Sequence, residues 1–225
     1  MKNEKNDINF LNTIKILEDN KINYWICHGT LLGIVRDNQL IEWDHDIDIA
    51  IWSDQIPKNT IIQLFEKDNF KLREGFGVER DIISFERDGG RIVDINFYEK
   101  IFREGKYYAY VKWYLPKNYF MKIIDALSNG LNYNGKYKKI FHLLSFMQNF
   151  FIFFKKKLIK YNLFYREAGY SEPLEFIEEI HYMNFFKNKI KIPKYPESYL
   201  EYIYGKDWKI PKKNYIWYRD SKSVI

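Results

Sequence analysis

Asp46, Asp48 and Asp94 are the side chains of this sequence whose type and spacing could do chemistry together. In DIDIAIW the first two alternate with Ile47, Ile49 and Ile51. Alternation with period two marks a half-buried strand, so the isoleucines take the core face and both carboxylates the opposite one. Two carboxylates held that close repel, and each raises the other's pKa unless something positive lies between them. The usual remedy is a hard divalent cation with oxygen ligands, Mg²⁺ or Mn²⁺. Asp94, in GRIVDINFY, shares a face with Ile92 and Asn96, opposite Val93, Ile95 and Phe97. Asp88-Gly89-Gly90 marks a tight turn before it, so ISFER and RIVDINF should pair as a hairpin. Laid beside the Asp46/Asp48 strand, this hairpin would bring three carboxylates to one end of a sheet. Such a set suits metal-assisted displacement at phosphorus. A solvated acidic edge strand would carry the same Asp-x-Asp, but Gly29-Thr30 and Arg36 lie just upstream.

The elements that must hold these residues follow from periodicity. Residues 7 to 20 read as an amphipathic helix with Phe10, Ile14 and Leu17 on one stripe. It leads into a strand from Ile22 to Cys27, and Thr30 is placed to cap a short helix through Arg36. Free N–H groups at such a helix start favour a phosphate, and Gly29 lets backbone approach it closely. Arg36 would face the same anion or pair with Asp37 or Asp44. Pro57 to Asn69 reads as a surface helix with Ile61, Ile62, Leu64 and Phe65 inward, and EGKYYAYVKWYLP as another strand. Arg80 and Arg91 flank the Asp94 hairpin as weaker phosphate contacts. Ser171 to Lys187 is expected to be a helix, with Pro173 in its first turn. A last helix should start near Pro196 and stop at Gly205.

GTLLGIVR followed by IEWDHDIDIAIW resembles the LicD/fukutin family, within the nucleotidyltransferase superfold. Gly29, Thr30, Arg36, Trp43, Asp44, Asp46 and Asp48 match the family's pattern. Asp94 matches its later strand aspartate, whereas His45 stands where a third consecutive acid is usual. IPKYPESYLEYIYGKDWKIP resembles the closing segment, and the matching stretches cover about half of the 225 residues. The resemblance implies an α+β fold, a nucleotidyltransferase-like mixed sheet flanked by helices with a helical C-terminal part. It implies one catalytic domain over 1–225, its core at 1–115 and a mostly helical part at 116–225. The implied reaction moves a substituted phosphate, phosphocholine or an alditol phosphate, from a CDP-linked donor to a glycan hydroxyl and releases CMP. On that reading Asp46, Asp48 and Asp94 are catalytic and hold Mg²⁺ or Mn²⁺, with Asp94 also taking the acceptor's proton. Gly29, Thr30, Arg36, Asp44 and Trp208 would bind substrate. Nucleotidyl transfer from an NTP, or a non-catalytic glycan- or membrane-binding relative, are the rival readings.

Composition narrows the setting. Hydrophobic residues at 46% and aromatics at 19% exclude a disordered chain. A net charge of +6, without clustered basic motifs, gives no sign of nucleic-acid binding. The single cysteine, Cys27, excludes an internal disulfide and a cysteine-rich zinc site. MKNEKNDINF carries no apolar signal segment, so a cytoplasmic protein is expected. Abundant Lys, Asn and Ile suggest an AT-rich, bacterial genome, and with it a capsule or lipopolysaccharide acceptor. The stretch Ile140–Phe164 is too short and interrupted to span a bilayer. Its phenylalanines abut Lys155-Lys156-Lys157, which suits either a helix lying in the membrane interface or a core helix with a basic end.

Overall fold

The computed structural model of the 225-residue chain describes residues 7–73, 81–133 and 135–224. In chain order come α1 (Ile8–Asp19), β1 (Tyr24–Ile26), α2 (His28–Asp37), β2 (Asp46–Trp52), α3 (Lys58–Lys67), β3 (Lys71–Leu72), β4 (Ile82–Glu86), β5 (Ile92–Arg103) and β6 (Lys106–Pro116). There follow α4 (Tyr119–Asn129), α5 (Lys138–Leu143), α6 (Gln148–Lys160), β7 (Tyr165–Pro173), β8 (Ile180–Phe185), β9 (Asn188–Pro193), α7 (Pro196–Tyr204) and α8 (Trp217–Asp220). Two compact units result: Met1–Trp113 with Gly169–Ile225, and Tyr114–Ala168. The chain leaves the first unit after Trp113 and returns to it at Gly169.

A seven-stranded mixed sheet runs β1-β2-β5-β4-β3, with β6 on β5 and β7 on β6. β2 and β5 are parallel, and their register sets Asp48 beside Asp94. β4 and β5 form the expected antiparallel hairpin, with Ser84 opposite Asp94. Ile47, Ile49 and Ile51 are fully buried, as are Val93, Ile95 and Phe97, so the alternation seen in the sequence does orient the carboxylates. Burial of each such side chain is worth about 1.5–3 kcal/mol. A one-residue slip of β2 would exchange isoleucines for aspartates in the core.

Helix α1 fixes the turn that feeds β5. Asp7 caps the helix by accepting from the amides of Asn9 and Phe10, and its other oxygen accepts from the Arg91 amide at 3.0 Å. Buried Asn9 donates to the carbonyls of Arg87 and Arg91 at 2.9 and 2.8 Å. A Cβ at Gly90 would stand 2.5 Å from the Asn9 side chain, so only glycine fits there. Arg91 is thus engaged structurally, and its guanidinium lies 3.9 Å from Asp7. Arg80 lies outside the described residues.

The helix expected over Ser171–Lys187 is absent. Ser171, Glu172 and Pro173 end β7, with Pro173 extended at φ −52 and ψ 127, a single 3₁₀ turn covers Leu174–Phe176, and β8 and β9 form an antiparallel hairpin. Phe185, Ile190 and Ile192 are buried in the core cluster, and β9 packs against β1. Tertiary burial of these strand faces overrides the local cap signal. His181 therefore lies on a strand, and exposed Glu179 pairs with Lys194 at 2.7 Å.

In the second unit α4 buries Ile124, Ala126 and Leu127 and packs against α6, where Lys155 meets Asp125 at 2.7 Å. No residue of α6 is fully buried. No helix among the described residues is long and apolar enough to cross a membrane.

Candidate active site

Asp46, Asp48 and Asp94 meet as their strand positions require. Each offers a carboxylate oxygen, and these oxygens lie within 4.8 Å of one another. Asp94 accepts from the Ser84 hydroxyl at 2.5 Å, which orients it. Burial, then the negative charges of Asp46, Asp44 and Asp94, push Asp48 well above the ordinary carboxylate range, opposed by the Thr30 backbone N–H that faces its carboxylate. Asp94 rises to about 6, chiefly through burial, with the Ser84 bond opposing and Asp46 adding. Asp44 rises to about 8 through burial and the charge of Asp46.

Among the described residues, His28, Gly29, Asp44, Asp46, Asp48 and Asp94 line the cleft holding these acids, and no described lysine or arginine does. Four acids gathered in one cleft, three of them forced towards their protonated forms although Arg73 acts on Asp94 and Arg91 on Asp44, are a donor set that fits a hard divalent cation.

Asp48 is held from both backbone sides. Its amide donates to Thr30 Oγ1 at 2.8 Å, and its carbonyl accepts from the Cys27 amide at 3.2 Å. This corrects the expected cap. Helix α2 starts at His28 with Cys27 as its N-cap and no side-chain cap bond, so Thr30 sits one turn inside and is buried. Thr30 lines neither cleft described here; it positions the strand. Gly29 is required for a different neighbour than a phosphate alone: a Cβ there would collide with Asp44 Oδ2 and come to 3.6 Å from Asp48 Oδ2. Cys27 is fully buried and its thiol is pushed up, first by burial and then by Asp48, so it is unreactive.

Beneath the acids lies a buried polar network that the sequence did not announce. His28 Nε2 is 2.7 Å from Tyr98 Oη and 3.6 Å from Glu172 Oε1, and Tyr98 donates to the same Glu172 oxygen at 3.3 Å. Burial lowers His28 to about 4 and raises Glu172 to about 8, the latter against the Tyr199 and Tyr98 hydroxyls. Both groups are therefore uncharged near neutrality. His28 adopts φ +47, which turns its ring inward while the chain enters α2. The signal was the pair His28 and Glu172, but nothing in the spacing of residues this far apart says that they meet.

Gly29, Arg36, Asp44 and Trp208 come together around an adjoining cleft with Trp43, Lys212 and Lys213. Arg36 also pairs with Asp37 at 2.7 Å, the alternative foreseen for it. Lys213 lies over the Trp43 ring at 4.9 Å. Gly29, Asp44, Tyr204 and Tyr215 line both clefts, so the two lie side by side. The acidic cleft has an aromatic wall of Trp113, Tyr170, Tyr204, Tyr215 and Trp217. Trp217 stands edge-on to Trp113 at 5.5 Å and 5.1 Å from Tyr170. Four of these five aromatics come from the returning tail, and no motif marked them among the chain's many aromatics.

Residues 21–120 match the family described as LicD/FKTN/FKRP, nucleotidyltransferase domain. The ribitol-5-phosphate transferase FKTN of Mus musculus is 25% identical over 203 residues, 90% of this chain and 33% of its own. The Homo sapiens protein of the same description is 24% identical over 210 residues, 93% of this chain and 34% of its own. The chain thus spans about a third of the length of these curated relatives. Among solved structures, a lincomycin-bound lincosamide antibiotic adenylyltransferase aligns at 14% identity with a TM-score of 0.44, over 85% of this chain and 81% of that one. The LicD/fukutin resemblance carried by the GTLLGIVR and DHDIDIAIW segments is borne out by the family match.

Proposed function

We propose that this chain, whose residues 21–120 match the family described as LicD/FKTN/FKRP, nucleotidyltransferase domain, transfers a substituted phosphate from a CDP-linked donor to a hydroxyl of a cell-surface glycan. One observation carries the reading. An acidic cleft with no basic lining residue among those described shares Gly29, Asp44, Tyr204 and Tyr215 with a cleft walled by Arg36, Lys212 and Lys213. That polarity suits a donor pyrophosphate whose charge is met by a cation on one side and by basic side chains on the other.

Asp46, Asp48 and Asp94 would hold Mg²⁺ or Mn²⁺, which when bound would neutralise charge on the phosphate oxygens. Arg36, Lys212 and Lys213 would meet the remaining phosphate charge, and Trp43 and Trp208 offer flat faces to the donor's base or sugar. Gly29 keeps open the space between Asp44 and Asp48. Thr30 contributes by holding Asp48 in place. Asp94, oriented by Ser84, would accept the proton of the attacking hydroxyl. The aromatic wall would stack on the acceptor sugar or enclose the transferred headgroup, phosphocholine or an alditol phosphate. Capsule polysaccharide or lipopolysaccharide, lipid-linked before export, is the acceptor class that fits a bacterial source.

The test is CMP release from CDP-choline, CDP-ribitol, CDP-glycerol and CDP-ethanolamine with Mg²⁺ or Mn²⁺, using wild type and Asp48→Ala, with CTP and ATP as controls. Metal-dependent CMP from one donor, lost in the variant, is the expected result and identifies the group. Pyrophosphate from an NTP, with every CDP donor silent, would replace this reading by nucleotidyl transfer. No turnover and no metal binding would sink it.

A further inference from the structure

The chain's positive charge is not spread evenly. Residues 114–168 contain ten Lys and Arg against two acids, a net of +8, although the whole chain carries only +6. The first unit is therefore slightly acidic, and the second holds all of the excess. Within that second unit, α6 turns one face to α4 and leaves the other uncovered. Phe150 and Phe153 are 60% and 63% exposed, and Phe146, just before the helix, is 80% exposed. Phe146, Phe150, Phe153, Lys157 and Lys160 follow one another at spacings of three and four, which puts them on one helical stripe. The stripe changes from aromatic to basic along its length.

The lysines on it are available. Lys155 is engaged with Asp125 at 2.7 Å, but Lys156, Lys157 and Lys160 make no ion pair among the described residues. Lys157 instead leans over the Phe153 ring at 5.7 Å. A surface of exposed phenylalanines flanked by unpaired lysines has two needs at once: apolar contact and negative charge. Another folded protein surface with an acidic rim would answer the second need but would have to supply a matching apolar groove. An anionic bilayer answers both, because rings enter the acyl boundary while ammonium groups stay among the headgroups.

We propose that the second unit docks this chain on an anionic membrane surface, with Phe146, Phe150 and Phe153 inserted at the interface and Lys156, Lys157 and Lys160 against acidic headgroups. The docking is peripheral. It stands apart from the transfer reaction, since none of these residues lines either cleft.

The experiment is flotation of the full chain with vesicles of phosphatidylcholine alone and of phosphatidylcholine with phosphatidylglycerol. Wild type should float with the anionic vesicles only, and raised salt should release it. Two variants, Phe150→Ser/Phe153→Ser and Lys156→Glu/Lys157→Glu/Lys160→Glu, should each lose about a hundredfold in partitioning with an unchanged circular dichroism spectrum. Failure of the wild type to float with either vesicle overturns the proposal, and this comparison needs no variant. Retained flotation by the phenylalanine variant reduces the interaction to attraction for any polyanion and also overturns it. A wild-type dimer that the phenylalanine variant converts to monomer would assign the face to a second copy instead.

Discussion

The side-chain hydroxyl of Thr30 accepts the backbone N–H of Asp48 at 2.8 Å, across a sequence distance of 18 residues. Together with the Cys27 amide on the Asp48 carbonyl, it pins the central carboxylate of the triad to the turn that begins α2. The Gly-Thr pair and the Asp-x-Asp strand are therefore one device, joined by hydrogen bonds.

Thr30→Val keeps the shape and removes the acceptor, leaving a buried amide unpaired. The expected cost is about 1–3 kcal/mol in denaturant unfolding. The loss of turnover should be larger than that fraction unfolded explains, and Thr30→Ser should restore both. Turnover that tracks stability alone would show that the bond has no positioning role.

Gly29→Ala should keep the fold and impair the site, because the new methyl meets the Asp44 carboxylate. The obstacle is the end of a side chain, so Asp44→Ala in the same chain should relieve it. In a double-mutant cycle the two changes should couple by on the order of 1 kcal/mol or more. Strict additivity in unfolding and in metal affinity would contradict the contact.

The metal-free protein should lose stability as pH rises from acid to mildly alkaline. Asp94 and Asp44 are raised to about 6 and about 8 in the folded state, above their ordinary values. The folded state then holds protons that the unfolded chain has released, so stability is full below the unfolded pKa and is lost through the folded ones. The loss should be on the order of 1–3 kcal/mol, and saturating Mg²⁺ should largely remove it. Urea unfolding in series across that range, with and without the cation, reads the slope directly. A metal-free curve that rises with pH would refute the electrostatic account.

Glu172→Gln should stabilise the protein at high pH and change little at low pH. Burial raises Glu172 to about 8, so the wild type is stable with the acid neutral and loses that contribution as pH rises through this value. Glutamine stays neutral and still offers an oxygen to Tyr98. The variant's advantage should reach on the order of 2–4 kcal/mol above the folded pKa. An advantage independent of pH would mean that packing, not ionisation, separates the two proteins.

How much of this was legible in the sequence depended on how far apart the cooperating residues lie. Asp46 and Asp48 could be read because alternation with isoleucines fixes their face within seven residues, and Asp94 because Gly89-Gly90 announces its hairpin. The β8–β9 hairpin was missed for a physical reason. Its turn is made by Phe186 at φ +53 followed by Lys187, neither of which is a turn-forming residue type, while Ser171 and Pro173 imitate a helix start. Ile190 and Ile192 did alternate, but two isoleucines are a weak pattern. The His28–Tyr98–Glu172 network spans separations of 70 and 74 residues, which periodicity does not address.

The division of the site between an early segment and a returning tail also has a meaning in time. Asp48 leaves a ribosome about 120 residues before Tyr170, the first of the four tail aromatics of the wall. At roughly 5–20 residues per second that is an interval of about 6–24 seconds. Throughout it the four tail aromatics are missing from the cleft, and Glu172 is not yet there to meet His28 and Tyr98. A nascent chain can thus carry Asp46, Asp48 and Asp94 together and still lack the walls that would retain a substrate until residues 169–225 follow.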